Sequence, residues 1–103
     1  MAKRVRLNEP IGVRINETEL GVMRLVAKHG QGLLVMSVSE MATELGKSIG
    51  SIRRCLKMLD SKGLVEVRER FLRNGGQLEN EYELTEEGRR VIAAAEEAEG
   101  SRD

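Results

Sequence analysis

A helix bounded by two glycines is the feature that most restricts how this 103-residue chain can fold. Between Gly46 and Gly63, a rotation of 100° per residue places the apolar side chains on one side of a helix. Ser48 is suited to cap its first turn, since a serine hydroxyl can accept from an unpaired amide there. A helix of this length is marginal in water by itself, so other elements must cover its apolar face. We therefore predict a helix over residues 48–62, and its buried face comprises Ile52, Cys55, Leu56 and Leu59.

The exposed face of this helix carries positive charge in a chain that has no net charge. Residues 1–46 sum to +1, residues 47–73 to +5 and residues 74–103 to −6. A chain with this distribution can present a positive face to a polyanion. The alternative is a set of ordinary solvated helices, and from charge alone both interpretations stay open.

Capping signals predict where the other helices begin. Asn16 with Glu19, and Ser37 with Glu40, have the spacing at which a capping side chain and a glutamate bond each other's backbone amides. Apolar residues recur at helical spacing after each of them. Thr85 caps a last helix, and "LLVM" at residues 33–36 predicts a short buried strand.

Residues 64–84 predict a β-hairpin. Asn74-Gly75 is a strong signal for a two-residue turn that needs positive φ at both positions. Centring the turn there pairs apolar residues on one face and mostly opposite charges on the other. The predicted pairs are Val65 with Leu84, Glu66 with Glu83, Val67 with Tyr82, Arg68 with Glu81, Arg70 with Glu79 and Phe71 with Leu78.

The two ends of the chain supply the remaining apolar surfaces. Residues 1–15 predict an N-terminal arm and a short strand, a domain follows over residues 16–95, and residues 96–103 predict a frayed acidic tail. Apolar residues alternate in the strand and form a narrow stripe on the last helix. We predict a homodimer through one or both of these surfaces, which comprise Ile11, Val13, Ile15, Val91, Ile92 and Ala95.

The order of elements is helix, short strand, helix, tight turn, helix, hairpin, helix. With the segments "SVSEMATELGKSIGSIRRCLKMLDSKGLVEV" and "YELTEEGRRVI", the chain resembles winged helix-turn-helix proteins, and in particular MarR-type regulators. Ala42, Gly46 and Ile52 stand at the helix crossing, the turn and the core position of such motifs. The resemblance implies an α+β, mostly α fold: a three-helix core, a two-stranded hairpin wing, and a C-terminal helix from about residue 85.

The resemblance also implies a way of binding double-stranded DNA. The helix over residues 48–62 would enter the major groove, and the hairpin over residues 64–84 would act as a wing. Arginines suit guanine edges or phosphates, and lysines suit phosphates. Gly50 would let the helix approach closely, and Arg73 at the wing tip has no acidic partner in the predicted register. The candidate DNA-binding residues are Lys47, Gly50, Ser51, Arg53, Arg54, Lys57, Arg68, Arg70 and Arg73.

Other classes of protein lack support in the sequence. No nucleophile–base motif, phosphate-binding loop or cluster of carboxylates at metal spacing occurs, so we expect no enzyme activity, no metal and no cofactor. Cys55 lies on an apolar face and is interpreted as a core residue. No apolar run reaches the ~20 residues that span a membrane, and no secretory signal opens the chain, so we expect a cytoplasmic protein.

The leading hypothesis is a sequence-specific, dimeric transcriptional regulator. Two alternatives stay open. The first is the DNA-binding module of a plasmid or phage replication or partition system. The second, from another class, is a winged helix used for protein interaction. The absence of net charge leaves this alternative open.

Overall fold

The structure, a computed structural model, describes residues 13–28 and 33–100. Helices and one face of an antiparallel sheet share a single core, to which the sheet contributes Leu34, Val65, Tyr82 and Leu84. This architecture confirms the predicted winged-helix fold. The elements are α1 (Glu17–Lys28), β1 (Leu33–Met36), α2 (Val38–Leu45), α3 (Ile49–Ser61), β2 (Val65–Phe71), β3 (Gln77–Leu84) and α4 (Glu86–Gly100).

The predicted helix starts are confirmed by their capping bonds. The Glu19 amide donates to Asn16 Oδ1 at 2.8 Å, and the Asn16 amide donates to Glu19 Oε1 at 2.9 Å. Ser37 and Glu40 form the same reciprocal pair at the start of α2. Gly46 ends α2 with φ of 65°, a left-handed conformation that glycine adopts without steric cost. The short turn that follows sets α3 against α2.

The inner face of α3 is the predicted one. Ser48 Oγ accepts from the Ser51 amide at 3.1 Å and so caps the helix. The four apolar residues assigned to the core, Ile52, Cys55, Leu56 and Leu59, are all buried. The polar side of α3 is therefore turned outwards.

The sheet has three strands rather than the two of the hairpin. β1 pairs antiparallel with β3, and the strand order is β1-β3-β2. β1 was predicted to be buried, but only Leu34 and Met36 face the core, while Leu33 and Val35 are exposed. The reason is that neighbouring side chains of a strand point to opposite faces, and β1 is an edge strand with one face on the core.

The hairpin register is as predicted near its base and wrong near its tip. Val65, Glu66, Val67 and Arg68 oppose the predicted partners. Beyond a β-bulge, however, Arg70 lies opposite Leu78 and not opposite Glu79. β3 has one more residue than β2 between the pairs on either side of this bulge. The bulge is needed because the turn is longer than the predicted one.

The turn at the wing tip contains three residues, 73–75, closed by Leu72 and Gly76. The Leu72 amide donates to the Gly76 carbonyl, and the Gly75 amide donates to the Leu72 carbonyl. Gly75 has φ of 90°, whereas Asn74 keeps a negative φ. The predicted two-residue turn needs positive φ at both positions, which costs a non-glycine residue about 1–2 kcal/mol. The longer turn avoids this cost.

The predicted dimer surfaces lie mostly within this chain's own core. Ile15 is 2% exposed, and Val91 and Ala95 are also buried. Val13 and Ile92 are partly buried and pack against the same core, and Ile11 lies outside the described residues. Residues 13–15 form no strand. For Ile15, Val91 and Ala95 the prediction of spare surface is therefore wrong, because α4 and the segment before α1 pack on the core.

α4 also extends further than expected. It continues to Gly100, five residues past the predicted end of the domain, and residues 101–103 lie outside the described part of the chain. Arg24 on α1 holds the end of α4 through Glu96 at 2.8 Å and Glu99 at 2.6 Å. These hydrogen bonds, Glu99 foremost, raise the pKa of Arg24. Cross-helix ion pairs thus order a segment that its acidic sequence alone predicts to fray.

The start of α4 is fixed to the loop before β2. The Thr85 hydroxyl donates to the Gly63 carbonyl at 2.6 Å and accepts from the Gly88 amide at 3.0 Å. A Cβ at Gly88 would overlap the Leu64 carbonyl oxygen. Only glycine therefore lets the first turn of α4 approach this loop so closely.

Gly88 and Gly50 provide a matched test of this close approach. A Cβ at Gly50, also in the first turn of a helix, meets nothing within 4 Å. We expect Gly88→Ala to destabilise the fold by about 1–3 kcal/mol, as overpacking does. Gly50→Ala should stabilise it by about 0.4–1 kcal/mol. Chemical denaturation of the two variants measures both values, and equal stabilities would contradict the assigned packing at Gly88.

Candidate nucleic-acid interface

The outer face of α3 presents three cations to solvent. Arg53, Arg54 and Lys57 are exposed, on the side opposite the buried residues of the helix. Lys47 is exposed in the turn that precedes α3. Within residues 13–28 and 33–100, none of the four makes an ion pair. Their charge is therefore available to a ligand.

Two small residues lie in the first turn of α3. Gly50 is exposed, and its backbone does not adopt a conformation that requires glycine. A glycine in a helix costs up to about 1 kcal/mol relative to alanine, so the fold alone gives no reason for it. Ser51 is also exposed, but its hydroxyl accepts from Ser48 Oγ at 3.0 Å. The first turn of α3 thus offers a flat surface to an approaching molecule.

The three arginines of the wing differ in their surroundings. Arg68 contacts Glu66 at 3.0 Å, Glu83 at 3.1 Å and Glu81 at 3.6 Å. The hydrogen bonds that Arg68 donates, the larger effect coming from Glu83 and the smaller from Glu66, raise the pKa of Arg68. Arg68 is thus occupied by carboxylates on the outer face of the sheet, which makes it the weakest of the predicted DNA contacts.

Arg70 and Arg73 are less engaged. In the described part of the chain neither of them forms an ion pair, and the register shift separates Arg70 from the partner predicted for it. Arg73 is exposed in the three-residue turn at the wing tip. Both arginines therefore remain candidate phosphate contacts.

A groove of about 930 Å³ separates α3 from the wing. Arg53 and Lys57 line one wall, together with Ile49. Glu69, Glu79 and Phe71 line the other wall. The cations of α3 thus face a mixed acidic and apolar surface across the groove, and the positive charge is confined to the helix side.

The β-bulge directs Glu79 towards α2. The carboxyl groups of Glu79 and Glu40 lie close together, and their interaction raises the pKa of Glu79 and lowers that of Glu40. Both groups are fully exposed, and Glu40 also accepts from Ser37 in its capping box. The wing thus brings a second carboxyl group to the start of α2, an arrangement that the predicted pairing with Arg70 did not include.

Exposed apolar side chains are the part of this surface that sequence reasoning missed. Phe71 and Leu78 were predicted to share a face with core residues, but the hairpin extends beyond the edge of the core. Their alternation with charged residues was visible in the sequence, whereas the distance to which the core reaches was not. The exposed apolar residues of α3 and the wing are Ile49, Met58, Phe71, Leu72 and Leu78.

Cys55 has the environment of a core residue. Burial, and to a smaller extent the nearby Glu19 carboxylate, raise the pKa of its thiol to about 12. The thiolate is the reactive form of cysteine, so this thiol is inert near neutral pH. The interpretation of Cys55 as a core residue is confirmed.

The described part of the chain has neither a membrane-spanning helix nor a cluster of metal-ligating side chains. No helix there is long and apolar enough to cross a membrane. In the same residues, no group of three or more His, Cys, Asp or Glu side chains is arranged to hold a metal ion.

A protein-family comparison identifies the central elements. Residues 20–69 match the model of the IclR helix-turn-helix domain. This segment runs from α1 into β2, so it includes α2, the turn at Gly46 and all of α3. The predicted helix-turn-helix is therefore confirmed. No curated protein matches the sequence.

Solved structures with the same fold are transcription regulators. ZitR of Lactococcus lactis, solved in complex with DNA, has 18% identity and a TM-score of 0.64 over 95% of this chain and 63% of that one. PcaV of Streptomyces coelicolor, solved with its natural ligand, has 15% identity and a TM-score of 0.66, covering 84% and 56%. A MarR variant from E. coli with operator DNA has 20% identity and a TM-score of 0.61, covering 81% and 54%. The chain thus spans little more than half the length of these regulators, and the likeness shows the winged-helix fold.

The environment of Cys55 predicts its reactivity. A thiol-specific disulfide reagent at pH 8 should label the native protein at a small fraction of the rate seen in denaturant, because the buried thiol stays protonated. Absorbance of the released thiol measures both rates. Rapid stoichiometric labelling of the native chain would contradict the burial of this side chain.

Proposed function

We propose that this winged helix-turn-helix chain is a sequence-specific regulator of transcription that binds double-stranded DNA as a homodimer. α3 enters the major groove, and the β2–β3 hairpin follows the neighbouring backbone and minor groove as a wing. The observation that carries the proposal is the outer face of α3, where Arg53, Arg54 and Lys57 are exposed without carboxylate partners. The function requires no catalytic group, metal or cofactor.

Charge partition supports this proposal in a chain without net charge. Arg24 and Arg68 are bound by glutamates that hold parts of the fold together. In the described part of the chain, the arginines of α3 form no such ion pairs. Their exposed charges therefore do not stabilise the fold. Duplex DNA attracts cations through the local field, because each phosphate contact releases condensed counterions. Overall neutrality therefore does not oppose binding.

The first turn of α3 supports the placement of this helix in the major groove. Recognition helices contact base edges mainly with their N-terminal residues. Gly50 adds no side chain to that end of the helix, and Lys47 lies just before it in the turn. Arg53 and Arg54 follow within one helical turn, where a guanidinium can reach guanine O6 and N7 or a phosphate.

Proteins with the same fold support double-stranded DNA as the partner. ZitR and a MarR variant, which share the fold, are both described in complex with DNA. A dimer would read two half-sites and double the contacts of one short helix. Because Ile15, Val91 and Ala95 belong to the core, the proposed dimer must use other surfaces.

The alternatives give different outcomes. A replication or partition module would bind duplex DNA in the same way but select origin-like rather than promoter sequences. A protein-interaction module would show no salt-dependent binding to duplex DNA. Selection of bound duplexes from random sequence followed by binding at several salt concentrations separates these cases.

Charge reversal on α3 tests the interface directly. Arg53→Glu/Arg54→Glu should abolish binding and leave the fold intact, because both side chains oppose the buried face. Wild-type affinity should fall with salt at a log–log slope of roughly −0.9 per phosphate contact. Fluorescence anisotropy with a labelled duplex measures both effects.

The matched control is Arg89→Glu/Arg90→Glu on α4, which makes the same change of charge at exposed positions outside the proposed interface. This variant should bind at least half as tightly as the wild type. Wild-type affinity in the folded α3 variant would show that the cations of α3 are only a solvated surface.

A side chain at Gly50 should separate stability from binding. Leucine is a better helix former than glycine, and its Cβ would meet nothing within 4 Å at this exposed position, so Gly50→Leu should be at least as stable as the wild type. The same side chain should hold α3 away from the major groove and weaken binding at least tenfold. Ser61→Leu, at the exposed far end of α3, is the control that should bind normally. Normal binding by Gly50→Leu would contradict close approach at this turn.

A further inference from the structure

The tip of the wing exposes apolar side chains that the fold does not use. Phe71 is 57% exposed and Leu72 is 50% exposed, the highest values among the large apolar residues that the structure describes. Contact with another molecule would remove this apolar surface from water, which is favourable. The tip is therefore a candidate contact surface for another molecule.

The two residues point in different directions. Neighbouring side chains in a strand alternate between its faces. Phe71 lines the groove towards α3, and Leu72 does not. Leu72 thus belongs to the tip itself, beside Arg73.

The turn holds Leu72 in place. The Gly75 amide donates to the Leu72 carbonyl at 3.0 Å, and the Gly76 amide donates to Asn74 Oδ1 at 2.9 Å. The Leu72 side chain lies over Gly76, where an added Cβ would stand 3.3 Å from Leu72 Cδ1. The leucine is therefore an apolar projection on a short, bonded turn, with its side chain lying over Gly76.

The combination at the tip fits the minor groove of DNA. A contact with phosphate alone would need Arg73 but no leucine. Proteins that bend DNA from the minor groove combine a cationic side chain in the groove with an apolar wedge that partly unstacks a base step. Arg73 is exposed and, in the described part of the chain, forms no ion pair, so it can supply the cation.

We infer that Leu72 is an apolar wedge that enters the minor groove next to the site of α3 and bends the duplex. This inference rests on the proposed function. Pyrimidine–purine steps such as TA unstack most easily, so the wedge should add a preference at a base step that α3 does not contact. The wing would then contribute to specificity through the deformability of DNA, in addition to its contacts with the backbone.

The test measures bending and affinity together. A duplex of about 30 base pairs, selected with the wild-type chain, carries a fluorophore at each end. Energy transfer should increase when the wild type binds, in keeping with a bend of about 20–90°. Leu72→Ala should reduce this increase by at least half and lower the affinity at least fivefold. The effect on affinity should shrink when a stiff A-tract replaces the TA step under the wing.

Two variants control for other causes. Leu33→Ala removes a leucine that is 42% exposed on β1, away from the turn, and should bind and bend as the wild type does. Leu72→Met keeps an apolar side chain of similar volume and should retain most of the bend. Circular dichroism checks that each variant is folded.

The failure of this inference is distinct from failure of the proposed function. If the wild type binds duplex DNA in a salt-dependent way but Leu72→Ala binds and bends like it, the wedge is wrong and the interface on α3 stands. A tip that serves a protein partner instead would give this same result. If the wild type shows no salt-dependent binding, the proposed function itself is wrong.

Discussion

A partly buried ion pair between α1 and Lys62, the residue that follows α3, helps to hold the inner face of α3 against the core. The Glu19 side chain is only 4% exposed, and Lys62 Nζ donates to its two oxygens at 2.8 and 3.0 Å. The same ammonium donates to the Arg14 carbonyl at 2.6 Å, while Glu19 also accepts from the Asn16 amide. One carboxylate therefore caps α1 and holds Lys62, the residue that follows α3. Loss of either partner would leave a charge poorly paired near the core, which is costly.

The exposed charge follows from this arrangement. With the inner face of α3 held against the core, its cations must project outwards, and no glutamate of the described chain reaches them. Five acidic residues are engaged elsewhere: three of them surround Arg68, and two hold Arg24 to α4. Separation of structural from available charge explains how a chain with no net charge can present a positive helix.

The helical part of the fold and the outer face of α3 were predictable because capping and apolar period are local signals. Asn16, Ser37 and Ser48 cap as predicted, and each buried residue of α3 has the spacing that its helix requires. The ion pair of Glu19 was not predictable, since the two residues are distant in sequence. The stripe with Val91 and Ala95 was correctly read as apolar but misassigned, because spacing cannot distinguish a surface for a second copy from one that covers the chain's own core.

The tip of the wing shows how one local choice changes the chemistry of a surface. The dipeptide Asn74-Gly75 is compatible with two turns, and its sequence does not decide between them. The observed three-residue turn keeps Asn74 at negative φ, shifts the pairing by one residue and needs a bulge to restore the register. That bulge directs Glu79 towards Glu40 and removes it from the position opposite Arg70. The same turn places Leu72 at the closing position, beside Arg73, which has no ion pair in the described part of the chain. The three-residue turn therefore explains both the wrong prediction of the register and the apolar projection at the tip.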